Sequence, residues 1–248
     1  MNHRIFEITQ EGLLNLQERQ QAIKENFNSL EDLFIQRKAY KVEDGIAYID
    51  VTGPLLRKAS EFEKKTGITT YEQITNELDQ ALIDGSVNLV VLTIDSPGGD
   101  AQGSLEVSDK IANFDKPVYA YVSGLCASAA MKIASAATEI ISTKSGIIGS
   151  IGSVIVVESR KAMINNMGIT RTIFTNSEAS VYKGMGQDFG DLTDEQKLYV
   201  QDMVEESGIE FKKTIKNNRP EVPDEVFSAK TYNAKKALEL GLIDRIVN

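Results

Sequence analysis

A near-continuous apolar run, residues 87–94, leads straight into Asp95-Ser96-Pro97-Gly98-Gly99. This junction constrains the fold more than any other part of the chain. A strand that is apolar on both faces must be covered on both, which is the habit of parallel sheets with helices packed over them. Similar strand and helix signals continue on either side. Residues 46–51 read as a strand, and residues 55–70 as a charged loop. Thr70 caps a helix running to about Leu82, with Ile74, Leu78, Ala81 and Leu82 on one face. A helix is expected over 103–113, a strand over 117–122, a small-residue helix over 127–137 and a short strand over 139–142. Further strands are expected at 154–157 and 170–174, flanking a helix over 160–167, and residues 176–192 read as a loop. Thr193 caps a long helix with acidic residues in its first turn. Asn233 caps a last helix ended by Gly241, and residues 242–247 form a closing strand. Strands and helices in alternation predict an α/β fold with a mainly parallel sheet.

Residues 1–42 differ from the rest. Leu13, Leu14, Leu16, Ile23, Phe27, Leu30, Leu33 and Phe34 recur at helical spacing among Gln, Glu and Lys. The expected division is an amphipathic helical arm over 1–42 and one domain over 43–248. The arm packs on its own domain or on a neighbouring subunit.

Composition narrows the function. The formal net charge is -9 and basic residues are dispersed, so a nucleic-acid partner is not expected. The single cysteine, Cys126, excludes an intrachain disulfide and fits a reducing compartment. No cysteine–histidine cluster offers a zinc site. There is no signal-peptide pattern and no apolar stretch long enough to span a membrane, so a cytoplasmic protein is expected.

Only one histidine exists, His3, and it lies in the polar N-terminal stretch. An imidazole-based catalytic unit in the domain is therefore disfavoured. Three other features carry possible chemistry. The Ser96-Pro97-Gly98-Gly99 turn can present backbone N–H groups to an oxyanion, or can be an ordinary strand-to-helix turn. Ser128, in Cys126-Ala127-Ser128-Ala129-Ala130, stands at a strand-to-helix junction among small residues. It is either a nucleophile or part of a tightly packed helix; Cys126 is its rival, without a histidine to activate it. Lys183, in Tyr182-Lys183-Gly184, is either a solvated lysine or a base. A lysine works as a base near neutrality only if its surroundings lower its pKa from about 10.4 to about 7–8.

These segments, in this order and with Gly149-Ser150-Ile151-Gly152-Ser153 between the last two, resemble the signal peptide peptidase A (protease IV) family of serine peptidases. The resemblance spans about residues 45–248 and includes the ending Ala237-Leu238-Glu239-Leu240-Gly241-Leu242-Ile243-Asp244. Within the family it is closest to the phage and prophage capsid-assembly (head maturation) branch. The resemblance implies a Clp protease/crotonase-like fold and a Ser-Lys dyad. It assigns Ser128 as nucleophile, Lys183 as general base, and Gly98 with Gly99 or Ala129 as the oxyanion hole. It also implies a homo-oligomer, a peptide substrate bound as an extended strand near the glycine turn, and no cofactor or metal. Scaffold or capsid proteins are the expected substrates, in host cytoplasm or prohead. Alternatives are a peptide-degrading cellular peptidase, a crotonase-like acyl-CoA enzyme using Asp100 and Glu106, and an assembly protein without turnover.

Overall fold

The structure is a computed structural model, and it describes residues 6–9, 12, 40–187 and 190–247. His3 and the amphipathic stretch 13–39 lie outside the described residues. Of the expected arm, two pieces are described as strands: β1 (Phe6–Ile8) and β2 (Lys41–Glu43).

The larger sheet has eight strands. Its main path runs β11 (Thr231–Asn233), β10 (Ile147–Gly149), β8 (Val118–Ala127), β6 (Leu89–Ser96), β3 (Ile46–Thr52), β2. β9 (Glu139–Thr143) pairs with β8, and β12 (Arg245–Val247) pairs with β9. The pairings among β3, β6, β8, β9, β10 and β12 are parallel, while β2 and β11 add antiparallel edges. A smaller sheet has the order β1, β7 (Gly98–Asp100), β4 (Leu55–Leu56), β5 (Thr69–Thr70). The strands β4 and β5, with helix α1 (Glu61–Lys65) between them, replace the loop expected over 55–70. Charged residues dominate that stretch, but Leu55, Leu56 and Ile68 are fully buried and anchor it.

Helices α2 (Tyr71–Ile83), α3 (Ser104–Ala112) and α4 (Ala129–Ser135) supply the apolar cover. Helix α2 begins at Thr70 with a reciprocal capping box to Gln73 and buries Tyr71, Ile74, Leu78 and Ala81. In β6 the apolar residues Val90, Leu92 and Ile94 are fully buried, as is Ser96, whereas Leu89, Val91 and Thr93 are half-buried. The expectation of burial on both faces is thus corrected. Among the described residues one face carries the core, and the other presents Tyr48, Val91, Thr93, Tyr119 and Tyr121 at intermediate exposure.

Helix α5 (Lys161–Asn166), the long α6 (Asp194–Asn218) and α7 (Ala234–Glu239) stand close to where they were expected. Thr193 caps α6 through a capping box with Gln196, and Asn233 caps α7. The strands expected at 154–157 and 170–174 do not form. The strand in that part of the chain is β10, within the glycine-rich segment, because Ile147–Gly149 aligns with the end of β8 at Leu125, Cys126 and Ala127. The β-branched residues of 154–157 and 170–174 find no ladder and remain largely exposed.

Candidate active site

Strand β8 has two sets of neighbours. Its first part, Tyr119–Val122, lies between β6 and β9; its last part, Leu125–Ala127, pairs with β10. A register shift between Ile94 and Ser96 accommodates Ser123, Gly124 and Leu125. Asp95 stabilises this irregularity by accepting the Leu125 amide at 2.8 Å. Gly124 is needed there, since a methyl group at that position would come within 2.6 Å of Asp95 Oδ1. The effect is to carry the end of β8 past the sheet and set Ser128 at the entrance to α4.

Ser128 has φ 56° and ψ -121°, a conformation a serine rarely adopts. It is held by its amide donating to Gly149 O at 2.8 Å and by its carbonyl accepting the Lys132 amide at 3.0 Å. Its hydroxyl makes one long contact, 3.5 Å to Gly152 O. Neighbouring Ser150 also has positive φ, 53°, and its amide donates to Lys230 O at 2.8 Å. The Gly-Ser-Ile-Gly segment therefore forms a wall against Ser128. The serine at this strand-to-helix junction thus combines a strained backbone with a hydroxyl that makes little hydrogen bonding.

Gly98 lies directly beside it, with φ 95°. A methyl group at Gly98 would come within 2.9 Å of the Ala129 nitrogen and 2.9 Å of the Ala127 oxygen. The backbones of the glycine turn and of the Ser128 turn thus meet. The Gly98 amide now makes a 3.2 Å bond to Ser96 Oγ. Gly99 sits deeper in the small sheet, opposite Leu55 on one side and Glu7 on the other.

The structure places Lys183 elsewhere. It is exposed, in the turn following a short helical segment at Ser177–Ala179, and its amide donates to Ala179 O at 3.0 Å. Adjacent Tyr182 donates to Glu195 at 2.9 Å and packs on the Tyr199 ring at 4.9 Å. Among the described residues no contact joins Lys183 to Ser128. Cys126 is fully buried and burial pushes its thiol far up, which removes it as a rival nucleophile. Asp100 is buried and accepts the Arg57 amide at 3.1 Å, whereas Glu106 is exposed on α3.

A buried charge cluster next to this site was missed in the sequence. Lys132, one helical turn beyond Ser128, is 0% exposed, as is Glu7 on β1, and the two form an ion pair. Lys132 Nζ also donates to Glu210 of α6 at 3.0 Å and lies 4.5 Å from the Phe211 ring centre. Ser104 Oγ is 3.2 Å from the Glu7 carboxylate. Burial raises the Glu7 pKa to about 7, with Lys132 opposing the rise and Glu210 adding to it. One cation between two carboxylates leaves a proton favourable on the more buried one. The signal in the sequence was a lone lysine inside Ala129-Ala130-Met131-Lys132-Ile133-Ala134, an apolar helix where a charge needs a partner.

Comparison with known proteins identifies the family and the fold. Residues 110–248 match the model of peptidase family S49, and residues 48–144 that of Clp protease. The chain belongs to peptidase family S49. The head-tail preconnector protein GP5 of Enterobacteria phage P21 is 30% identical over 85% of this chain and 42% of its own length. The capsid assembly protease C of Escherichia phage lambda is 28% identical over 86% of this chain and 49% of its own. The chain therefore spans about half the length of these curated relatives. An enoyl-CoA hydratase/isomerase family protein from Silicibacter pomeroyi shares the fold at 13% identity, with a TM-score of 0.51 over 84% of this chain and 74% of that one. The family assignment supports a peptidase role and the Clp/crotonase-like fold. No helix among the described residues is long and apolar enough to cross a membrane.

Proposed function

We propose that this S49 chain is a serine endopeptidase working through Ser128 and Lys183. The observation that carries the reading is the convergence on one point of a strained Ser128, the Gly98 turn and the Ala129 amide. In the proposed reaction Lys183 takes the hydroxyl proton as Ser128 Oγ attacks the scissile carbonyl. The Gly98 and Ala129 amides stabilise the oxyanion. Lys183 then protonates the departing amine. Water, deprotonated by the same lysine, hydrolyses the ester to release the acid and restore Ser128.

Lys183 must come to Ser128 for this to occur, and we infer that assembly brings it. Segment 153–192 carries Val154, Val156, Met163, Met167, Ile169, Ile173 and Phe174 exposed, with Phe174 91% exposed. Exposed apolar side chains in that number along one segment suit burial against a partner. A second copy of the chain packed there would give the exposed stretches at 154–157 and 170–174 a partner. It would also enclose Lys183 and bring it out of solvent.

By likeness to the lambda capsid assembly protease, the proposed substrates are scaffold or capsid proteins, bound as an extended strand beside Gly98. Mass analysis of casein and of candidate capsid precursors incubated with the protein tests this. Ser128→Ala and Lys183→Ala are each expected to abolish cleavage with the fold intact, and a serine-reactive phosphonate to label Ser128. Unchanged cleavage in either variant refutes the dyad.

A further inference from the structure

The edge of β7 that a substrate strand would use is already taken. β4 flanks β7 on one side and β1 on the other. β1 runs antiparallel to it, Phe6 opposite Asp100, Glu7 opposite Gly99 and Ile8 opposite Gly98, and the Thr9 amide donates to Pro97 O at 2.9 Å. A methyl group at Gly98 would meet the Glu7 carbonyl oxygen at 2.0 Å and the Ala129 nitrogen at 2.9 Å. A peptide carbonyl of the chain itself thus lies next to the amides that would receive a scissile carbonyl. Ser128 is 0% exposed in this arrangement, so a substrate can reach it only if something moves away.

The hold on β1 is chemically selective. The Glu7 side chain enters a closed space formed by Lys132, Ser104 and the neighbouring Glu210, and it is fully buried there. An apolar side chain in that space would leave Lys132 with Glu210 alone, and a basic one would meet Lys132 directly.

We propose that residues 6–9 occupy the peptide-binding edge of the site from within the chain, and that Lys132 makes this edge selective for extended peptides with an acidic side chain in the place of Glu7. This rests on the peptidase reading and names its substrate class. Opening β1 then precedes binding, and the apparent affinity for any peptide falls by the fraction of time the edge is free. With β1 docked nine-tenths of the time, the loss is about tenfold.

The test is binding of a fluorescein-labelled peptide, Ile-Phe-Glu-Ile-Thr-Gln, read by anisotropy on the full chain carrying Ser128→Ala, so that no turnover intervenes. Adding Thr9→Pro removes the amide that bonds Pro97 O, and is expected to tighten binding about tenfold. Glu7→Ala is expected to do the same and keeps Lys132 paired with Glu210, so it serves if the proline variant fails to fold. The peptide with Ala or Lys in place of Glu is expected to bind at least about tenfold more weakly. With Ser128 restored, the two β1 variants should cleave short acidic peptides faster than the parent chain. Affinity and rate blind to both β1 variants, or indifference to the Glu in the peptide, overturn the proposal even in an active peptidase. Tight, Glu-dependent binding by β1 variants that hydrolyse nothing leaves the proposal standing and overturns the peptidase reading instead.

Discussion

The amide of Lys132 donates to the carbonyl of Ser128 at 3.0 Å, so the candidate nucleophile and the buried charge cluster share one turn of α4. Whatever disturbs the cluster is one hydrogen bond away from the strained serine.

Replacing the cation tests that connection. Lys132→Met leaves Glu7 buried without its partner and is expected to cost about 3–5 kcal/mol in denaturant unfolding at pH 8. Glu210→Gln, at a partly exposed site, is expected to cost under about 1 kcal/mol.

The Glu7 carboxyl also gives stability a pH dependence. Its folded pKa of about 7 lies above the ordinary 4.5, so the folded chain binds the proton more tightly than the unfolded one. The stabilisation is complete below pH 4.5 and is lost as pH rises towards and through 7, a change of at most about 3 kcal/mol. Lys132, Glu210 and Tyr71 are the charged or titratable groups coupled to it. Unfolding measured from pH 4.5 to 8 should show this decline, and Glu7→Gln should flatten it.

Ser128→Gly and Ser128→Ala are expected to differ. Glycine adopts φ 56° and ψ -121° without steric cost, whereas alanine retains the strain. The glycine variant should be inactive yet about 1 kcal/mol more stable than the parent, and the alanine variant inactive with no such gain. Thermal unfolding of the three proteins decides.

Gly98→Ala should fail differently. Its methyl would press on backbone atoms at 2.0 Å and 2.9 Å in a residue with φ 95°. Loss of about 2 kcal/mol or more and loss of activity are expected together, read by unfolding and peptide cleavage.

Phe174→Asp tests the assembly inference. Light scattering should show smaller particles than the parent, and cleavage should fall with the isolated chain still folded. Unchanged particle size and rate would exclude Phe174 from the interface.

Local signals made much of this fold legible. Thr70 and Thr193 each carry the third-residue partner that closes a capping box, so both helix starts could be placed. The sheet strands Ile46–Thr52 and Leu89–Ser96 announced themselves by apolar content. Ser128 and Gly98 could be paired through the family resemblance, though thirty residues separate them, and the register shift that joins them depends on Asp95 bonding Leu125. Residues 154–157 misled because β propensity needs a neighbouring strand to be realised, and none is present within the described chain. β1 was hidden for the opposite reason: Phe6–Ile8 is too short to show a period, and its place depends on a buried contact 125 residues away.

The shared ammonium at Lys132 joins distant parts of the polypeptide, Glu7 near the beginning and Glu210 on the long helix α6. These two acids draw on one positive charge. A neighbour that engages Glu210 from outside would leave more of that charge for Glu7, tightening the latch; one that pushes Glu210 inward would loosen it. Through that one shared ammonium, a partly exposed carboxylate on α6 and the strand beside Gly98 are held by the same charge.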